Sequence, residues 1–140
     1  ENNLIKKSHK HKIKNKKSKP YHYKTKNGSD IYVGKNSKQN DYITLKLANK
    51  DDLWFHVKDV PGSHVILRSD NISDEEINIA SYLAAINSSI SSDNKINIDY
   101  TEKKNVNKAK GAKPGMVYYE DFSTITVDTN LNISDKYRKI

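Results

Sequence analysis

The chain of 140 residues contains no cysteine. That absence excludes disulfides, thiolate metal sites and thiol nucleophiles together, and it favours a reducing, cytoplasmic setting over a secreted one. No apolar run approaches the roughly 18 residues needed to span a bilayer, and no charged-then-apolar leader resembles a signal peptide, so no membrane partner is expected. Proline and glycine are scarce, at three and five, so each one that occurs carries positional weight. Apolar side chains are also few. Some 34% of residues are hydrophobic against 30% charged, the balance of a modest core with polar extensions. The length suits one domain. A first residue of Glu1 rather than Met is expected of a segment excised from a longer polypeptide.

Acidic charge is missing from one stretch in particular. Residues 1–26 hold ten lysines and a single acid, Glu1, for a local balance of +9, while the other 114 residues hold 15 basic and 16 acidic side chains, for −1. The formal net charge of +8 therefore belongs to the tail, and the body is close to neutral. Within 8–20 the only large apolar side chain is Ile13. Such a block cannot bury enough apolar area to offset chain entropy. Residues 1–20 thus read as a flexible lysine-rich arm that seeks RNA or as a charged linker between domains, since lysine-rich arms bind polyanions weakly and without selectivity.

From Tyr21 the pattern changes. Tyr21, Tyr23 and Thr25 alternate with His22, Lys24 and Lys26, the period of a half-buried strand. Asn27-Gly28 then predicts a tight turn into Ile31-Tyr32-Val33, making a hairpin. After a polar loop over 34–40, Asp41 can cap a short helix to Ala48 with Tyr42, Leu45 and Leu47 inward, although the same residues also alternate as a strand. Residues 53–57 and 64–67 read as two strands joined across Pro61-Gly62. Ser73 and Glu76 form a capping box, with Ile72 and Ile77 as its staple, ahead of a helix running to Ser89. Ile77, Tyr82, Leu83 and Ile86 are its expected core face. Residues 96–100 alternate as a strand, 116–119 and 124–127 suggest a final hairpin, and the last dozen residues lack periodicity and should fray. The expected fold class is α+β, a mainly antiparallel sheet packed against one long helix, plus a short helix. The folded domain should span 21–128, followed by an extension over 129–140.

Three runs, VGKNSKQNDYITLKLANKDDLWFHVKDVPGSHVIL (33–67), SYLAAINSS within the long helix, and IDYTEKKNVNKAKGAKPGMVYY (98–119), together resemble the NFACT-R domain. This is the C-terminal RNA-binding-type domain of NFACT proteins, among them ribosome quality-control tailing factors and proteins once labelled fibronectin-binding. The resemblance covers roughly 21–128 in uninterrupted order. It implies RNA binding, with tRNA or large-subunit rRNA as partner, alongside other domains of the same parent chain. It also implies no metal, no cofactor and no catalytic role for this domain, because the residues tied to tailing lie in an N-terminal domain absent here.

Within that frame four groups are candidates for RNA contact. Trp54 and His56 share one face of their strand and Phe55 takes the other; an exposed ring there could stack on a base, but at least one face must be core. Ser63 and His64 follow the Pro61-Gly62 turn and could meet a phosphate with closely spaced donors, or the turn could be purely local, with Gly62 at positive φ. Lys103, Lys104, Lys108, Lys110 and Lys113 fall within eleven residues without an intervening acid, which suits the phosphate backbone and promises strong salt dependence. Asn36, Gln39, Asn40 and Asp41 can bond to bases or sugars, or simply close a loop and cap a helix.

A metal site or hydrolase built from His56, Asp59, Ser63 and His64 is disfavoured. No other zinc-type ligands accompany them, and sequence neighbours seldom reach triad geometry. The expectation is an RNA-binding module supporting C-terminal tailing of stalled nascent chains. The competing reading is a protein-interaction domain, including fibronectin at a cell surface.

Overall fold

Alternation along the chain translates directly into the first hairpin. The computed structural model describes residues 18–88 and 94–140; the lysine-rich residues up to 17 and the expected helix end at Ser89 lie outside the described residues. Strand β1 (Tyr21–Thr25) turns at Asn27-Gly28 into β2 (Asp30–Val33), with Gly28 at φ 86°. Strands β3 (Leu53–Val57), β4 (Val65–Arg68), β5 (Lys95–Glu102), β8 (Ser123–Asp128) and β9 (Tyr137–Lys139) complete a seven-stranded antiparallel sheet in the order β8-β5-β3-β4-β2-β1-β9. Strands β6 (Val106–Asn107) and β7 (Tyr118–Tyr119) form a separate two-stranded ribbon.

Both faces of the sheet are covered, which is why β3 is buried at every position except His56. On one face lies α2 (Asp74–Ile86), burying Ile79, Ala80, Leu83 and Ala84 against Phe55, Val57, Val65, Leu67 and Ile98. Ser73 caps this helix, accepting from the Glu76 N–H at 3.2 Å. The other half of the expected capping box is not made. Glu76 instead turns its fully buried carboxylate to the hydroxyls of Thr25 (2.9 Å) and Ser69 (2.8 Å), fastening the helix start to the sheet. Ile86, expected in the core, is 45% exposed because the helix ends there, capped at Asn87; Ile72 of the expected staple is exposed as well.

The opposite face carries a smaller core of Ile43, Trp54, Ile66 and Val106. Its lid is a helix that differs from expectation in both start and pitch. Helix α1 (Ser37–Asp41) begins five residues early, because the Asn36 side chain, and not Asp41, caps it by accepting from the Gln39 N–H at 2.9 Å. The chain then widens into a π-helical stretch, Tyr42–Leu47, with the Ala48 N–H on the Ile43 carbonyl. The regular 3.6-residue phase no longer applies across that change of pitch. Ile43 and Thr44 therefore point inward and Tyr42 is 50% exposed, the reverse of the inward Tyr42 expected.

Two further expectations fail for one reason, the preference of long-range partners over chain neighbours. Residues 116–119 and 124–127 do not pair as a hairpin. Tyr118–Tyr119 pairs with Val106–Asn107, while β8 runs along β5 from Lys95↔Asp128 to Tyr100↔Ser123. Thr101 holds the crossing, its hydroxyl donating to the carbonyls of Glu120 and Asp121. The last dozen residues do not fray: β9 adds to β1, with the Tyr137 ring edge-on to Tyr23 at 5.3 Å and the Lys139 ammonium 4.4 Å from the Tyr21 ring centre.

Candidate nucleic-acid interface

The motif residues meet on the face covered by α1, and most of them meet each other. Asn40 is buried, its Oδ1 accepting from the His64 N–H at 3.0 Å and its amide near the Gly62 carbonyl at 3.5 Å. Gly34 makes room for it, since a Cβ there would collide with the Asn40 side-chain oxygen. Asp41 reaches the far loop, where its Oδ1 accepts from the Gly115 N–H at 2.9 Å and from the Lys108 ammonium at 3.3 Å. One turn of helix thus grips both the Pro61–His64 turn and the lysine loop.

His64 is the centre of this network and is only 1% exposed. Its Nδ1 lies 3.2 Å from the Trp54 indole nitrogen and 2.8 Å from the Thr44 hydroxyl; its Nε2 lies 3.2 Å from the Gly115 carbonyl. The indole can only donate, so Nδ1 accepts and Nε2 carries the proton to Gly115. Burial, and after it the neighbouring His56, push the imidazole down from 6.5 to about 3, because a second proton would face another donor. His64 is therefore a neutral structural connector. The phosphate contact expected of it is not available, and the same burial removes Trp54, fully enclosed, as a stacking platform. Asn40 is likewise spent on the fold.

Ser63 and the turn before it also differ from expectation. The Ser63 hydroxyl donates to the Asn87 carbonyl at 3.3 Å, at the end of α2. Positive φ in this turn falls on Asp59 (62°), not Gly62. Gly62 is there for space: a Cβ would sit 2.7 Å from Val57. Asn36 remains at the surface while capping α1.

Of the expected contacts in β3 and the turn, His56 and Ser63 are left partly open, and His56 is the one that lines a cleft. It stacks on Trp54 at 5.6 Å and 15° and lines a cleft of about 410 Å³ with Asp59, Pro61, Met116 and Tyr119. Burial lowers its pKa, against the opposing pull of Asp99, so it enters this cleft uncharged near neutrality. Asp99 itself was not foreseen. It is buried beneath the cleft and accepts from the Tyr119 hydroxyl (2.6 Å), the Thr124 hydroxyl (2.6 Å) and the Lys58 ammonium (3.4 Å). Burial first, then this bond, hold the Tyr119 phenol well above its ordinary range. The only sequence signal for Asp99 was a carboxylate inside an alternating strand.

The five lysines separate once folded. Lys108 is an internal brace, its ammonium also donating to the carbonyls of Lys113 (2.7 Å) and Met116 (3.2 Å). Lys104 pairs with Glu102 at 3.5 Å on the surface, and Lys103 is half-buried. Lys110 and Lys113 are exposed and have no carboxylate within ion-pair distance among the described residues. They project from a loop fastened at Asp41, whose far end, Gly115 to Tyr119, forms one wall of the His56 cleft. Exposed Met116 and Tyr118 lie beside them.

This arrangement has known relatives. Residues 19–121 match the family described as NFACT protein RNA binding domain. The chain is 39% identical over 129 residues to the Rqc2 homolog RqcH of Bacillus subtilis, covering 89% of this chain and 23% of that protein. It is 43% identical over 130 residues to the Rqc2 homolog RqcH of Streptococcus suis, covering 91% and 23%. The solved C-terminal region of the fibronectin/fibrinogen-binding protein from Streptococcus suis superimposes with a TM-score of 0.75 at 44% identity, covering 81% of this chain and 46% of that one. The chain spans about a quarter of the length of the two RqcH proteins. It belongs to the NFACT protein RNA binding domain family, as the order of its motifs implies.

Proposed function

We propose that this domain binds tRNA or large-subunit rRNA through the phosphate backbone, using Lys110 and Lys113, as part of a ribosome-associated quality-control factor that supports C-terminal tailing of stalled nascent chains. The observation that carries the reading is a pair of exposed ammonium groups, without a carboxylate partner among the described residues, on a loop that Asp41 and Lys108 hold in place. Preorganised cations lose less freedom on binding than cations on a slack loop. His56 offers a polar contact from the cleft whose wall the far end of that loop forms. Lys108, Asn40, Trp54 and His64 support this surface from behind. The cytoplasm and the ribosome are the corresponding location and partner, with the remaining modules of a longer polypeptide supplying the tailing chemistry.

The decisive measurement is binding of tRNA and an rRNA fragment over a salt series. Lys110→Ala/Lys113→Ala should weaken both and reduce the slope of log K against log salt by about 1 to 2, because each phosphate contact contributes close to one unit. An unchanged slope refutes the loop as the contact. A second reading, protein binding, is favoured by the name of the solved relative, which refers to fibronectin and fibrinogen. Saturable binding of immobilised fibronectin by the full chain, unaffected by competing RNA, would support it.

A further inference from the structure

On the other side of α1 from the His56 cleft lies a second opening, which of the candidate residues only Asn36 and Gln39 line. It is a groove of about 840 Å³ between the start of β1 and the 37–47 helix, lined by Lys19, His22, Tyr32, Asn36, Lys38 and Tyr42 among others. Ser37 and Asn40 face the cleft while Asn36, Lys38 and Gln39 face the groove, so a single helical turn divides the two.

Its chemistry is aromatic and cationic. The His22 and Tyr32 rings stack at 4.5 Å and 14° across the β1–β2 pair. The His22 ring is pinned by Asp30 at 2.7 Å, and that carboxylate is already matched by Lys24 at 3.1 Å. Tyr42, turned outward by the change to π-helical pitch, presents an open ring. Lys19 and Lys38 are exposed and hold no carboxylate among the described residues, and none of the described residues lining the groove is acidic. The groove is anchored, since the Gln39 amide donates to the Ser18 carbonyl at 3.0 Å and Arg68 donates to the Leu47 carbonyl at 2.8 Å, tying down both ends of the lid helix.

A ring face open to solvent, backed by a second stacked pair and flanked by cations without acids, has the chemistry of a nucleotide: a π surface carrying a phosphate. We infer that this groove holds an unpaired base of the bound RNA against Tyr42, with its phosphates toward Lys38 and Lys19. The inference rests on the RNA reading above and adds to it a preference for single-stranded segments. Phosphate contacts alone carry no such preference, because duplex and single strand both offer a charged backbone.

The test uses the full chain and a short labelled RNA, followed by anisotropy as a single strand and as its duplex. Tyr42→Ala should weaken single-strand binding roughly tenfold, the scale of one lost base stack, while leaving duplex binding and the salt slope unchanged; Tyr42→Phe should retain binding. Lys110→Ala/Lys113→Ala should weaken both forms. If Tyr42→Ala binds the single strand as the unchanged chain does, or loses both forms equally, the groove is not a base site, and the loop reading survives. If the unchanged chain binds neither RNA, both conclusions fall together.

Discussion

The two faces of the central sheet are built by different physics. The face under α2 is held by apolar burial, with fifteen buried residues forming its core. The face under the 37–47 helix has four buried apolar residues in its core among the described residues and is held by directed bonds among Asn40, Asp41, Thr44, His64, Lys108 and Gly115. Apolar packing tolerates substitution that keeps volume, whereas a directed network depends on particular atoms. The recognisable motifs lie mostly on the second face. Their strictness follows from geometry, and it does not make each motif residue a ligand contact.

The contrast can be broken most forcefully in the apolar layer. Phe55→Ala should cost about 3–5 kcal/mol by urea unfolding, the range for emptying an aromatic core position, and should leave the pH dependence of stability as it was. Acid should act on the other layer. Below about 6.5 the unfolded chain takes up a proton on His64 that the folded chain refuses until about 3. Stability is then complete above that window and falls with pH inside it, by about 1.4 kcal/mol for each unit. His56, lowered in the same direction, adds to the slope. Flat stability between pH 7 and 5 would contradict the neutral, fully enclosed imidazole. The smallest effect is expected for Asp41→Ala, about 1–2 kcal/mol from the orphaned Gly115 N–H and Lys108 brace. It should raise hydrogen exchange at Gly115 selectively while leaving amides of α2 protected. Uniform loosening of both faces would mean that the network is not a separate layer.

Much of this was legible along the chain where contacts are local or periodic. The β1–β2 hairpin follows from alternation and Asn27-Gly28, and α2 from Ser73 and its apolar spacing. The site was legible only in outline. Residues Asn36 to Asp41, Trp54 to His56, Pro61 to His64 and the lysine loop do converge, yet no spacing rule distinguishes Lys108, braced by an acid 67 positions away, from free Lys110. Tyr42 was misplaced because a change of helical pitch leaves no mark in hydrophobic periodicity.

Composition and pattern by themselves determined the class of fold and the location of excess charge, since these depend on residue identity and short-range spacing, while the family was read from the resemblance of three runs. Which histidine is buried, which lysine is free and which aromatic ring meets solvent were decided only by tertiary structure. Those properties depend on what the rest of the chain brings to within a few ångströms, and the partners of His64 and Lys108 come from elements scattered between Asn40 and Met116.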